Sequence, residues 1–137
     1  MKGHFTFSKE ERLTGKSNID QLFNRGKSFN LFPFRVFYHL VENADEPVAR
    51  LLIAIPKKKV HHAVDRNRLR RLVREAYRLN RTAFIANLEM KSVHLHFALI
   101  YNGESFDLAY KEVELKIIAC LARLEKIITS EYRIGTQ

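Results

Sequence analysis

The chain has 137 residues, 46% of them hydrophobic, with a formal net charge of +9 and one cysteine. That is the size of one ordinary domain with one real core, too apolar for global disorder. A lone Cys120 excludes an intrachain disulfide or a cysteine-based zinc site, and no apolar run approaches the ~20 residues that span a bilayer.

The opening MKGHFTFSKEERL has no apolar stretch and carries acids early, which argues against a secretory signal and for a small cytosolic protein. Ser17 followed by Asp20 resembles a capping box. Ile19, Leu22 and Phe23 then keep helical spacing and Gly26 stops the run, so a first helix is predicted over about 17–25. Residues 32–41 (FPFRVFYHLV) are aromatic and β-branched and read as a strand. One face would hold Phe32, Phe34, Val36, Tyr38 and Leu40 as core, the other Pro33, Arg35, Phe37, His39 and Val41. The second set is either a stacking platform for unpaired bases, or a core Phe37 beside a solvated Arg35. ENADEP turns the chain, and a second strand at 49–55 closes on Pro56.

From about 60 to 80 the pattern is helical. Leu69, Leu72, Val73, Ala76 and Tyr77 fall within an arc of about 140°, the buried face. Asn67, Arg70, Arg71, Arg74, Arg78 and Arg81 fall within about 100° on the opposite side, with Arg66 and Arg68 on the flanks. Residues 93–101 read as a half-buried strand, and Asn102-Gly103 turns the chain. Phe106, Tyr110, Val113, Ile117, Leu121, Leu124 and Ile128 then step by threes and fours as a long last helix. There is no repeat and no linker, so residues 1–137 form one domain, α+β, with a sheet packed under helices on one side.

The charge is local. Residues 50–81 hold eleven Lys or Arg against Asp65 and Glu75, while the rest of the chain sums to zero. Solvated helix faces mix signs, because like charges three or four residues apart repel. Four turns of arginine offset by Glu75 alone imply an external polyanion. Arginine's planar fork suits phosphate and stacks on bases. A membrane helix would instead expose its apolar face, which this core requires. PKKKVHHAV (56–64) adds cations beside the arginine row, and Asn67 suits sugar or base contacts.

The string RNRLRRLVRE, preceded by PKK and AV, resembles the signature of the bacterial ribonuclease P protein family. Arg12-Leu13, Phe23, Gly26 and strands like FRVFY and FALIY agree with it over about residues 7–128. The resemblance implies an αβββαβα two-layer sandwich with a four-stranded mixed sheet, like the second domain of ribosomal protein S5. It also implies a left-handed crossover into the arginine helix and a short extra strand near Lys27–Phe29. It further implies the non-catalytic protein subunit of an endoribonuclease that removes the 5′ leader from precursor transfer RNA, the RNA and its Mg2+ ions doing the chemistry. The implied partners are ribonuclease P RNA and the precursor leader, with no membrane, no required protein partner and no metal bound by the protein itself. Carried over by position, the catalytic-RNA contacts fall on Arg66, Asn67, Arg68, Arg70, Arg71, Arg74 and Arg78. The leader contacts fall on Phe23, Phe37, Arg35, Lys58 and Lys59, the lysines with a register ambiguity of one. Ile19 stands where many members have an aromatic, and His61-His62 replace small or polar residues.

Two rivals stay open. A protein-only nuclease would need acid–base groups. His94 and His96 share a strand face and could bind a metal, but Cys120 reads as buried and the acids Glu104, Asp107, Glu112 and Glu114 suit a helix start. A ribosomal-type RNA-binding protein would share the basic patch without assisting cleavage.

Overall fold

The computed structural model describes residues 7, 9–42, 47–104 and 107–136, with side chains as far as Glu131. The elements run α1 (Lys16–Arg25), β1 (Lys27–Leu31), β2 (Phe34–Val41), β3 (Ala49–Ala54), α2 (Ala63–Asn80), α3 (Thr82–Met90), β4 (His94–Tyr101) and α4 (Tyr110–Thr136). A 3-10 turn at Lys9–Glu11 precedes them. The strands form one sheet in the order β1-β2-β4-β3, antiparallel except for the parallel β3–β4 pair. The architecture is α+β with a four-stranded mixed sheet.

The sheet has two working faces. Phe34, Val36, Tyr38, Leu51, Leu95, Phe97 and Leu99 point to the main core. There α2 contributes Leu69, Val73, Ala76 and Tyr77, and α4 contributes Val113, Ile117, Leu121, Leu124 and Ile128. Each such side chain fully buried contributes about 1.5–3 kcal/mol. On the reverse face Leu13, Leu22 and Ala98 form a second small core, with Ile19, Phe23, Phe37, Leu52 and Ile100 packed around it. The expectation of helices on one side is therefore corrected: α1 lies across the other face. A sheet whose centre is apolar on both sides, with Ala98 and Leu52 on the reverse, needs that cover.

α1 starts one residue before Ser17. Its N-cap is Gly15 at φ 89°, with no side-chain cap, so the Ser17–Asp20 capping box does not form. Gly15 reaches a left-handed backbone that a side-chain cap would not supply. Gly26 does end the helix, its N–H on the Leu22 carbonyl. A Cβ there would meet the Leu22 oxygen at 2.3 Å and the Tyr38 oxygen at 2.6 Å, so the close turn into β1 requires glycine.

Other boundaries moved for identifiable reasons. β2 begins at Phe34, and Phe32 lies before it in the β1–β2 turn, 69% exposed and not core. α2 starts at Ala63, because residues 57–59 form a turn whose Lys59 and Val60 N–H groups both bond the Pro56 carbonyl. Helix α3 is absent from the sequence reading. Phe84 and Leu88, four apart, bury one face of it, a signal nine residues long and easily lost between α2 and β4. β1 extends over the segment expected only from the resemblance. Phe106 and residues 43–46 of the predicted turn lie outside the described residues. α4 begins at Tyr110, with Glu112 accepting from the Ala109 N–H at 3.0 Å, an acid at the positive end of the helix.

Candidate nucleic-acid interface

The arginine helix is amphipathic as its spacing dictates: Leu69, Val73, Ala76 and Tyr77 are buried. Its arginines nevertheless divide into two groups. Arg66 donates from Nη1 to the carbonyls of Val60 and His61, at 3.0 and 2.8 Å, and so fastens the loop that carries the lysines. Arg68 Nη2 donates to the Leu108 carbonyl at 2.7 Å, fastening the segment before α4. Arg78 pairs with Glu75 through Nε and Nη2. That contact raises the Arg78 pKa and lowers that of Glu75, the hydrogen bond being the larger cause in both. Arg81 is no part of the free face. It is 5% exposed and bonds Glu11 at 2.7 Å, because α2 ends at Asn80 and turns it inward.

The remaining three, Arg70, Arg71 and Arg74, differ in exposure. Arg71 is exposed, and Arg70 Nη1 donates to the Asn67 side-chain oxygen at 2.9 Å. Arg74 is half-buried and its Nε has no hydrogen-bond partner. Burial, then the charges of Arg12 and Arg70, hold its guanidinium below the usual arginine range. Lys57, Lys58 and Lys59 are exposed just upstream, with the exposed imidazoles of His61 and His62.

The second surface is the reverse face of the sheet. The register sets rows across it: Ser28, Phe37, Ala98 and Leu52, then Asn30, Arg35, Ile100 and Ala54. α1 lays Phe23 on Phe37, ring centroids 4.8 Å apart and edge to face. The Arg35 guanidinium lies 5.0 Å from the Phe37 centroid. Phe37 and Phe23 are half-buried and Arg35 is exposed on this face beside α1. Phe37 packs around the small reverse-face core and remains half-buried. Ile19 packs into the same small core, which accounts for an aliphatic residue there. Lys58 and Lys59 follow the edge strand β3, beyond the end of the Arg35 row.

His94 and His96 do share the reverse face. His96 is buried opposite His39, and the His94 ring nitrogen lies 3.4 Å from the Pro47 carbonyl. Burial, then His96 and Arg25, lower the His39 pKa. Among the described residues no three His, Cys, Asp or Glu side chains are grouped to hold a metal ion. Cys120 is buried, and burial pushes its thiol up to about 12, which suits packing and not nucleophilic attack.

Sequence reasoning missed Arg12 and Glu11. Arg12 forms an isolated parallel bridge with Leu51, extending the sheet beyond its β3 edge. Only the long-range pairing brings it beside α2.

Comparison with known proteins agrees with this geometry. Residues 7–125 match the family Ribonuclease P. The ribonuclease P protein component of Porphyromonas gingivalis is 38% identical over 96 residues, 70% of each chain. That of Chlorobium phaeobacteroides is 36% identical over 118 residues, 77% of this chain and 81% of the relative. The solved RNase P protein of Staphylococcus aureus superposes with a TM-score of 0.65 at 18% identity, covering 85% of this chain and 95% of that one. The RNase P protein of Thermotoga maritima gives 0.63 at 24% identity, covering 82% and 96%. At those identities the superpositions speak for the fold.

Proposed function

The chain belongs to the bacterial ribonuclease P protein family, and on that premise we propose that it binds ribonuclease P RNA through α2 and the 5′ leader of precursor transfer RNA through the reverse sheet face. In this reading it assists removal of the leader to give the mature 5′ end. The RNA and its Mg2+ ions supply the hydrolytic chemistry, and the protein's residues bind and orient.

The observation that carries this reading is the presence of two RNA-suited surfaces of different kind on opposite faces of one sheet. The α2 surface presents Arg70, Arg71 and Arg74 with Asn67 and without a free acid between them, which suits the phosphates of a folded RNA. The reverse face presents Phe23, Phe37 and Arg35 side by side, which suits a flexible single strand that stacks and pairs its charge. Lys58 and Lys59 extend the positive potential between them. Arg66, Arg68 and Arg78 act on RNA more weakly, since each guanidinium already holds a backbone carbonyl or a carboxylate, whereas Arg70 holds only the Asn67 amide oxygen. No helix among the described residues is long and apolar enough to cross a membrane.

The deciding experiment is cleavage of a precursor transfer RNA with a labelled leader at low magnesium, with protein alone, ribonuclease P RNA alone, and both. Efficient cutting at the mature 5′ end by the mixture alone is the expected result. Cutting by the protein alone would reopen His39, His94 and His96. An absence of any assistance would favour a ribosomal-type RNA-binding protein.

A further inference from the structure

A pocket of about 310 Å³ opens at one end of the sheet, where the β1–β2 turn and the end of β4 meet the start of α4. It shares no lining residue with either RNA-suited surface. Pro33, Tyr101, Gly103 and Val113 line it and are buried. Phe32 also lines it, largely exposed and outside both cores. The charged groups of the lining are Glu104, Glu112 and Lys116, all exposed. The volume is at the lower end of small-ligand sites, which run from about 300 to 1,000 Å³.

Several contacts hold its shape. The Asn102 N–H bonds the Pro33 carbonyl at 2.7 Å and ties the turn to the end of β4. The Tyr101 ring packs edge to face on Phe34, centroids 6.0 Å apart. Glu112 accepts the Ala109 N–H through Oε1 at 3.0 Å, which leaves Oε2 for a ligand. Tyr101 is 1% exposed, and among the described residues its hydroxyl has no hydrogen-bond partner; burial alone raises its pKa. A Cβ on Gly103 would lie 2.5 Å from the Tyr101 oxygen and 3.0 Å from the Pro33 Cβ, so any larger residue would crowd that hydroxyl. A buried phenol ordinarily finds a hydrogen-bond partner. Here the room for one is the pocket.

We propose that this pocket takes one unpaired guanine base, contributed by ribonuclease P RNA, with Phe32 as its stacking ring. Guanine offers the acceptor O6 beside the donors N1–H and N2–H2. The Tyr101 hydroxyl or Lys116 can donate to O6, while a carboxylate of Glu104 or Glu112 accepts from both nitrogens. Uracil offers one donor between two acceptors. Adenine and cytosine offer an amino group beside an unprotonated ring nitrogen, which a carboxylate repels. Two carboxylates also repel a phosphate, so the pocket selects a base edge and not the backbone. A free nucleotide finds no phosphate cradle here, whereas an RNA lying on α2 is held by its own phosphates. Arg68 of α2 bonds the carbonyl of Leu108, which lines the pocket, so the two sites are neighbours. This rests on the reading of α2 as the catalytic-RNA surface and adds to its phosphate contacts a position where a base is read.

The test has two readouts. The first is NMR of the full chain titrated with guanosine monophosphate, against the adenosine, cytidine and uridine monophosphates. The Tyr101 ring and Val113 methyl signals are expected to shift with the guanine nucleotide at millimolar concentration and far less with the others. Glu104→Gln combined with Glu112→Gln is expected to remove that preference. The second is the affinity for ribonuclease P RNA across a salt series. Phe32→Ala is expected to weaken binding about tenfold, as loss of a stacked base does, and to leave the salt slope unchanged, since no phosphate contact is lost. Phe32→Tyr, which keeps a ring, is expected to bind as the wild type does. A precursor transfer RNA arm, without ribonuclease P RNA, reads the other source of an unpaired base.

Signals unmoved by guanosine monophosphate, or moved equally by all four nucleotides, overturn the guanine pocket. Binding of the nucleotide by Phe106→Ala but not by the wild type means that the chain fills the pocket itself, and overturns it as well. A folded Phe32→Ala with wild-type affinity for ribonuclease P RNA, or with a flattened salt slope, overturns the base contact. A loss confined to the precursor arm overturns the assignment to ribonuclease P RNA. Failure of the wild type to bind ribonuclease P RNA at all would instead strike the proposed function, and the nucleotide titration would still judge the pocket.

Discussion

Arg81 and Glu11, seventy positions apart in sequence, meet at 2.7 Å beside the Tyr77 ring and fasten the N-terminal segment to the end of α2. Arg81 is nearly fully buried and Glu11 about a fifth exposed, so the pair is largely removed from solvent. Arg81→Ala leaves a partly buried carboxylate without its cation. The expected cost is about 3–5 kcal/mol of folding stability, read as a lower urea midpoint. RNA affinity of the remaining folded protein should change little, the opposite of what the helical wheel alone would suggest.

Arg68 and Arg71, three residues apart, should separate stability from binding. Arg68→Ala removes the donor to the Leu108 carbonyl and should cost about 1–3 kcal/mol of stability. Arg71 is exposed. Arg71→Ala should leave thermal unfolding within about 0.5 kcal/mol of wild type while weakening ribonuclease P RNA binding and flattening its salt dependence. Equal effects of the two substitutions on unfolding would contradict the division of the arginine row.

Phe37→Ala should spare binding to ribonuclease P RNA and weaken affinity for the leader by about 1–3 kcal/mol. Because Phe37 also packs on Phe23, some loss of stability is expected, and Phe37→Leu controls for it by keeping apolar bulk without a stacking ring. Leader affinity is measured as the difference between precursor and mature transfer RNA bound to the assembled particle. If Phe37→Leu kept full leader affinity, the ring would be a packing residue only.

His39 should make folding stability depend on pH. Burial, then His96 and Arg25, lower its pKa in the folded chain from an ordinary value of 6.5. The unfolded chain therefore binds more protons over the interval below that value, so stability rises with pH there. The contribution is complete above 6.5 and is lost as pH falls through the folded pKa. The groups facing His39 are His96 across the strand pair and Arg25 from α1. His39→Asn should reduce the loss of stability between neutral pH and about pH 5, measured by urea unfolding at each pH. A slope unchanged by the substitution would place the titration elsewhere, with His96 the next candidate.

What the sequence determined by itself is what local spacing controls. A period of 3.6 put Leu69, Val73, Ala76 and Tyr77 on one side of α2 and the arginines on the other. A period of two separated Val36 and Tyr38 from Arg35 and Phe37, and the count of charges confined the basic excess to residues 50–81. The tertiary structure decided which of those charges remain available. It turned Arg81 inward to Glu11, spent Arg66 and Arg68 on carbonyls of neighbouring loops, and brought Arg12 to face Arg70 and Arg74. It also placed α1 on the reverse face and folded residues 82–90 into a helix that its short apolar pattern does not announce. The reason is range. Periodicity is set by each residue's immediate neighbours along the chain, whereas the partner of a guanidinium is whichever carbonyl or carboxylate the sheet register and the helix ends deliver to it.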